Sequence, residues 1–322
     1  MALTFALLAT AFVFVCGAND GAALLALAVR HREVPPYAVL AVLLAAVAAG
    51  PALFGLTVAR TFTDRLLDPT DRRGPLVVLA GVTASLLLVG VLTWRGVPTS
   101  ITLAVLGGLA GAATGAGAHT AWDTLGGVLV IAAAAPLVGG LLGLLFGRLA
   151  RRLPTTSRLP VVVRLAHLAA FSGQSLAYAA NDGQKMFAVV GVGLASLHGT
   201  AGMRTPHWSV LVGLAGVFGA GALFSLRRMA RGATFGLLPA RPWRLVSAEL
   251  ASAVAVFGSA GVGTPVSMTQ SMAAGLVGAG ASQGVRRVRW QFALPVLVAW
   301  LVTLPASLLT GLVMGGLLRG VT

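Results

Sequence analysis

Apolar runs dominate the chain, and their spacing predicts its secondary structure. Stretches long enough to cross a hydrocarbon core about 30 Å thick recur along the whole sequence, and short breaks carrying arginine, glycine or proline separate them. The breaks delimit ten candidate spans: residues 2–29, 36–59, 75–94, 98–117, 123–147, 165–197, 208–226, 245–262, 264–283 and 291–318. The first, sixth and tenth spans are long enough to contain a broken or doubled helix, so we expect eight to twelve transmembrane helices.

Composition supports a chain built into a bilayer. Hydrophobic residues make up 57% of the 322 residues and charged residues only 10%, whereas a soluble domain carries about a quarter charged residues. We therefore predict an all-α polytopic membrane protein in the cell membrane. The apolar run from Ala2 to Cys16 follows no basic segment, so we interpret it as a retained first helix and not as a cleaved signal peptide.

The positive net charge reflects the membrane topology of the chain and does not indicate nucleic-acid binding. The net charge is +15, but the arginines lie almost wholly in the breaks between apolar runs, where they favour anionic lipid headgroups. With the N-terminus outside, sixteen of the twenty-two arginines fall on the inner side, among them Arg95, Arg227, Arg228 and Arg231, while Arg319 falls on the outer side. The positive-inside rule therefore predicts that both termini lie outside.

Two short patterns occur twice in the same order. Ala18-Asn19-Asp20-Gly21 recurs as Ala180-Asn181-Asp182-Gly183, and Pro98-Thr99-Ser100-Ile101-Thr102 recurs as Pro265-Val266-Ser267-Met268-Thr269. Five spans per half would place the second copy upside down relative to the first, as in transporters that work by alternating access. We expect a first repeat over residues 1–150, a cytoplasmic linker over 151–163 and a second repeat over 164–322, with discontinuous helices.

Four ionisable residues lie in apolar surroundings where charge is costly: Asp20, Asp182, Glu249 and Lys185. Lys185, the single lysine, stands one helical turn after Asp182, so the two side chains should meet. Asp20 and Asp182 each interrupt a hydrophobic run beside an Asn and a Gly, which predicts an unwound break whose oxygens suit Na⁺ or a proton. We expect all four residues at the central coupling-ion site, and for Glu249 a helix cap or an interhelical hydrogen bond is the structural alternative.

The Ser/Thr segments predict an anion site. Proline suits the first turn of a helix and Ser suits its cap, so each segment is interpreted as the start of a half-helix inside the membrane. Backbone amides, the positive end of the helix dipole and hydroxyl groups there bind tetrahedral oxyanions. The candidate ligands are Ser100, Thr102, Ser267 and Thr269. Ordinary packing is the alternative for one copy alone, and the duplication argues against it.

Other candidate chemistry is sparse. Cys16 is the only cysteine, and the five histidines show no ligand spacing, so we interpret them as interfacial. Glycine pairs such as Gly107-Gly108 indicate close helix packing. Because no nucleophile and base pair is visible, a membrane-embedded enzyme is disfavoured, and no cofactor is expected.

The chain resembles the inorganic phosphate transporter (PiT) family, in particular its bacterial low-affinity branch. The matching segments are CGANDGAALLA at 16–26, AYAANDGQKMF at 177–187, GVPTSIT at 96–102 and TPVSMT at 264–269. The resemblance implies import of inorganic phosphate, free or as a metal-phosphate complex, by symport with Na⁺ or H⁺ in a homodimer. It implies that Asn19, Asp20, Asn181 and Asp182 line the central ion and substrate site, with Asn19 and Asn181 as phosphate ligands and Asp20 and Asp182 as Na⁺ candidates.

Four positions depart from the family pattern. The family's histidine after the Ser-x-Thr element is replaced by Leu103 and Gln270, an Asn is replaced by Ala23, and the first-half position corresponding to Glu249 is Val82. These departures leave the coupling ion open. They also leave two rival functions: a permease of the same fold for sulfate or another tetrahedral oxyanion, and an anion channel.

Overall fold

The computed structural model describes residues 2–31, 34–66, 74–97, 99–152, 159–198, 207–231 and 242–319. The regular structure of these ranges is helical. The first half contains α1 (Ala2–Cys16), α2 (Ala22–Ala28), α3 (Pro36–Phe54), α4 (Thr57–Arg60), α5 (Gly74–Trp94), α6 (Ile101–Ala116) and α7 (Trp122–Ala150). The second half contains α8 (Leu159–Ala180), α9 (Gly183–His198), α10 (Trp208–Arg231), α11 (Pro242–Gly261), α12 (Met268–Ala281) and α13 (Trp290–Arg319). Two π-helical turns, Gly17–Gly21 and Thr61–Arg65, and a 3₁₀ turn, Val285–Arg287, complete the regular elements.

The predicted class, an all-α polytopic membrane protein, is confirmed. Six segments of the described ranges are long and apolar enough to cross a bilayer: Leu3–Ala28, Pro36–Phe54, Gly74–Trp94, Trp122–Ala150, Trp208–Arg231 and Ala293–Arg319. Helix α6 is a shorter apolar helix. Because many of their side chains face outward and are apolar, these helices require a lipid environment.

The predicted span 36–59 is wrong at its C-terminal end. Helix α3 ends at Phe54 because Gly55 adopts a left-handed φ of +67°, and the chain continues as the short helix α4. The long first span contains α1, a π-helical turn and α2, and the long sixth span contains α8 and α9. The tenth span, which could also have hidden a break, is the single helix α13 despite its two internal prolines.

Glycines let the helices of the two halves approach closely, as the glycine pairs predicted. Helix α6 packs on α13, where a Cβ atom on Gly111 would lie 2.1 Å from the carbonyl oxygen of Leu308. Helix α12 packs on α7, where a Cβ atom on Gly278 would lie 1.9 Å from the carbonyl oxygen of Gly140. Such contacts exclude even an alanine unless the backbones move apart, so small residues set the distance between these helices.

The helix contacts recur when the two halves are exchanged. Helix α5 packs on α6 as α11 packs on α12, and α6 packs on α13 as α12 packs on α7. Likewise, α10 packs on α1 as α3 packs on α8. This is the pattern expected of two structurally related halves. Part of the expected linker, residues 153–158, lies outside the described residues.

A row of polar pairs lies along the contact between α8 and α11. Nδ1 of His167 lies 2.9 Å from Oε2 of Glu249, and Gln174 donates to the Ser252 hydroxyl at 2.7 Å. The third pair lies just beyond the end of α8, where Asn181 donates to Ser259 at 3.0 Å. Residues seven positions apart recur on the same face of a helix, so these three pairs form one seam between the two helices.

Candidate functional site

The duplicated Ser/Thr segments are the starts of α6 and α12, as predicted. Ser100 has the extended backbone of an N-cap residue, and its hydroxyl accepts a hydrogen bond from the backbone N–H of Leu103 at 3.2 Å. Ser267 occupies the same position before α12, with its hydroxyl 2.9 Å from that of Thr269. The predicted proline position is wrong for the second segment, because Pro265 precedes the cap residue; Pro98 lies outside the described residues.

The two segments meet and bond to each other reciprocally. The Thr102 hydroxyl donates to the carbonyl oxygen of Val266 at 2.7 Å, and the Thr269 hydroxyl donates to the carbonyl oxygen of Thr99 at 3.3 Å. Thr102 and Thr269 are equivalent positions in the two copies, as are Thr99 and Val266. The N-termini of α6 and α12 therefore meet about a local two-fold axis, with backbone amides and hydroxyls from both.

The two asparagines hold these extended segments in place. Asn19 donates to the carbonyl oxygen of Thr99 at 2.8 Å and accepts from its N–H at 3.1 Å. Asn181 donates to the carbonyl oxygen of Thr264 at 2.9 Å and accepts from the N–H of Val266 at 3.0 Å. Both side-chain amides thus hydrogen-bond to backbone groups, so their role in this conformation is to fix the backbone before each half-helix.

Asp20 lies in the π-helical turn between α1 and α2. The expected unwound break is wrong for this copy, because the backbone stays helical through Gly17–Gly21 with one wider turn, a feature common at functional sites. Asp20 Oδ1 accepts from Asn19 at 2.7 Å, and Oδ2 accepts from the Tyr178 hydroxyl at 3.4 Å. In the described residues Asp20 contacts no cationic side chain, although it is only 3% exposed.

Asp182 lies in the turn between α8 and α9, and its surroundings differ. Oδ2 accepts from the backbone N–H of Met268, the first residue of α12, at 2.8 Å. Oδ1 forms an ion pair with Lys185, which confirms the contact expected from their spacing. The Lys185 ammonium also donates to the Thr102 hydroxyl and, at 3.3 Å, to the carbonyl oxygen of Val266. A fixed positive charge therefore lies where the two half-helices meet.

Glu249, which we expected at the central coupling-ion site, makes no hydrogen bond or ion pair with Asp20, Asp182 or Lys185 in the described residues. It forms the interhelical contact with His167 described above, and the ring of His31 stacks on that of His167 with a centroid distance of 3.7 Å. The interpretation of the histidines as interfacial is therefore wrong for these two, because His31 is 6% exposed and His167 is fully buried. Sequence spacing missed the group because the fold brings together residues far apart in the chain.

Several residues that support the centre were also missed. Thr93 donates to the Asn19 amide oxygen at 3.2 Å, and the Thr99 and Thr303 hydroxyls lie 2.6 Å apart. Gln184 accepts from the N–H groups of Val58 and Ala59, and so fastens α4 beside the second motif. Gln184 and Tyr178 stand next to the Asn-Asp motif in the sequence, a signal that could have identified them, whereas the hydroxyl residues look like ordinary polar positions in apolar helices.

Comparison with known proteins identifies the family to which this centre belongs. Residues 16–171 and 152–311 match the profile of the Phosphate transporter family, one match for each half of the chain. The chain belongs to this family. A Bacillus subtilis (strain 168) relative named "Probable low-affinity inorganic phosphate transporter" is 30% identical over 313 residues, covering 94% of this chain and 92% of the relative. A relative of the same name from Rhizobium meliloti (strain 1021) is 31% identical over 272 residues, covering 80% and 78%.

A solved structure supports the fold independently of close sequence similarity. The structure named "The sodium-dependent phosphate transporter" superposes with a TM-score of 0.81 over 100% of this chain and 99% of that one, at 17% identity. The predicted resemblance to phosphate transporters is thus confirmed. The phosphate transporter family consists of membrane transport proteins, which also confirms that the chain is not an enzyme.

Proposed function

We propose that this member of the phosphate transporter family is a secondary active transporter that imports inorganic phosphate by symport with Na⁺ or H⁺. The observation that carries the proposal is the meeting of two half-helix N-termini beside Asp20, Asp182 and Lys185. Helix N-termini and an ammonium group attract an oxyanion, while a carboxylate without a cation attracts a cation. A site that combines both suits an anion that travels together with a cation.

The anion is held by groups that now bond to each other. The hydroxyl groups of Thr102 and Thr269 each donate to the other Ser/Thr segment, and the Lys185 ammonium donates to Thr102. A phosphate at this point replaces those contacts with bonds to its own oxygens, with Ser100 and Ser267 contributing from the cap positions. Because each buried donor must keep a partner, substrate binding and a rearrangement of the two half-helices are one event. That coupling is what alternating access requires.

Asp20 is the better candidate for the coupling cation. Asp182 is already neutralised by Lys185, whereas the contacts of Asp20 come from an amide and a hydroxyl group. Phosphate beside an unneutralised Asp20 is repelled, so a cation or proton has to arrive with it. Of the two predicted Na⁺ candidates, we therefore assign the mobile cation to Asp20 and a fixed structural charge to Asp182.

We place both termini outside and the two repeats upside down relative to each other. The arginines offer support: Arg95, Arg227, Arg228 and Arg231 line one cavity of about 460 Å³, so residues assigned to the inner side do lie together. Arg319 bonds to the carbonyl oxygen of Thr114 at the end of α6. Anionic lipids as partners of the inner arginines and assembly as a homodimer complete the proposal, the latter by resemblance to the family.

Uptake of radiolabelled phosphate into proteoliposomes, with Na⁺ and proton gradients imposed separately, tests the proposal. We expect accumulation above the external concentration when one of the two gradients is imposed, and no accumulation when neither is imposed. Flux that ignores both gradients would be that of an anion channel and would refute symport. Sulfate in excess is the second arm: full competition by sulfate and weak uptake of phosphate would favour the oxyanion alternative of the same fold.

A further inference from the structure

His31, His167 and Glu249 form a buried group of metal-binding side chains away from the central site. His31 lies in the connection after α2, His167 in the first half of α8 and Glu249 in the first half of α11. One candidate ligand atom from each residue lies within 4.8 Å of the others. The group therefore joins three segments that are distant in sequence, one of them from the first half of the chain.

Each member of the group has a polar atom without a partner. Nε2 of His31, Nε2 of His167 and Oε1 of Glu249 are buried and make no hydrogen bond within the part of the chain that the structure describes. A buried polar atom without a partner costs about 1–3 kcal/mol, and native proteins contain few of them. Three neighbouring residues that each keep such an atom point to a ligand that they share.

The donor set selects the kind of ligand. Two imidazole nitrogens and one carboxylate oxygen suit Zn²⁺ and similar divalent transition metals, whereas Na⁺ and Mg²⁺ prefer oxygen donors alone. Donor atoms around a tetrahedral zinc ion lie about 3.3 Å apart, since each metal-ligand bond is about 2.0–2.2 Å long. Closing the cluster from 4.8 Å to that spacing requires the His31 ring to turn out of its stack on His167, so that both rings can aim a nitrogen at one ion. Three protein ligands leave a fourth position for water.

We propose that His31, His167 and Glu249 form a binding site for a divalent transition-metal ion of the Zn²⁺ class. The bound ion joins the end of α2 to α8 and α11. The site is separate from the central one, because His167 lies thirteen residues before the end of α8 at Ala180, which is about 20 Å of helix, and the second Asn-Asp motif follows that end.

Metal binding to the purified full-length protein tests this proposal without any transport measurement. After removal of the affinity tag and treatment with a chelator, the protein in nanodiscs is equilibrated with Zn²⁺, and bound zinc is counted by mass spectrometry. Co²⁺ serves as a spectroscopic probe, since imidazole and carboxylate ligands give it a tetrahedral absorption spectrum. We expect about one zinc per chain and a tetrahedral Co²⁺ spectrum.

Three variants and two controls decide the assignment. His31→Ala, His167→Ala and Glu249→Gln should each weaken Zn²⁺ binding by at least about a hundredfold and abolish the Co²⁺ spectrum. His119→Ala and His207→Ala, at exposed histidines, should leave both unchanged. If a helix variant misfolds on size exclusion, His31→Ala, in the connection after α2, decides alone. Zinc bound equally by wild type and variants, or no zinc bound by the wild type at micromolar concentration, would overturn the proposal.

Discussion

Replacing Lys185 by methionine removes the positive charge where the two half-helices meet. The side chain keeps a similar length, but Asp182 loses its ion pair and keeps only the hydrogen bond from the N–H of Met268. Breaking a buried ion pair in this way costs about 3–5 kcal/mol, because one charge stays buried without compensation. The Thr102 hydroxyl also loses a donor. We therefore expect Lys185→Met to lower the free energy of unfolding by about 3–5 kcal/mol.

A double-mutant cycle separates the ion pair from simple packing. Asp182→Asn should cost several kcal/mol by itself, since it leaves the ammonium with only neutral acceptors. In the double variant both charges are gone, and the amide oxygen of the introduced asparagine can still accept from the N–H of Met268. The double variant should therefore be more stable than the sum of the single effects predicts, by about 2–3 kcal/mol.

The free energies come from reversible unfolding by SDS in mixed micelles, with Asp123→Asn as the control. Asp123 is an exposed carboxylate in the first turn of α7, so its replacement should change the stability little. If the effects of Lys185→Met and Asp182→Asn add within about 0.5 kcal/mol, the two groups are not coupled. The assignment of Lys185 as a fixed counter-charge would then be wrong.

Three further outcomes follow from the same structure. Asp20→Asn should abolish accumulation of phosphate in proteoliposomes while leaving the protein folded, because the site loses its attraction for the coupling cation. Gradient-driven uptake equal to that of the control variant Asp123→Asn would show that Asp20 has no role in coupling. Thr269→Val should weaken phosphate binding at least tenfold, measured by binding of labelled phosphate in detergent, since it removes a hydroxyl at the meeting point of the half-helices. Gly111→Ala should destabilise the protein by several kcal/mol, because its Cβ atom meets a carbonyl oxygen of α13. Gly126→Ala in α7, where no atom lies within 4 Å, should be neutral or slightly stabilising in the same SDS titration. Equal effects of the two variants would contradict the close-packing argument.

The sequence predicted the helical architecture because apolar length and glycine or proline breaks are local signals. It also predicted the ion pair of Asp182 with Lys185, which one helical turn brings together. The contacts that it missed depend on long-range packing. Nothing near Asn19 in the sequence indicates that its amide clamps the backbone of Thr99, eighty residues away.

The departure of α1 and α2 from the predicted unwound break has a similar cause. A π-helical turn adds one residue to a helical turn and keeps the backbone bonding, so the polar interruption at Asn19 and Asp20 could not show whether the helix breaks there. The same limit applies to His31, whose ring meets His167 only after α2, α8 and α11 have packed. Sequence reasoning identified polar residues that the structure buries, but their partners come from tertiary structure.

The polar seam between α8 and α11 restricts how the molecule can move. Three hydrogen-bonded pairs fix the register of the two helices: His167 with Glu249, Gln174 with Ser252, and Asn181 with Ser259. Sliding one helix past the other by a single turn separates all three pairs at once, at a cost of about 1–3 kcal/mol for each buried group left alone. Helices α8 and α11 should therefore travel as one rigid unit. A conformational change then has to find its sliding surface elsewhere, and the glycine-lined contact of α12 with α7 offers one.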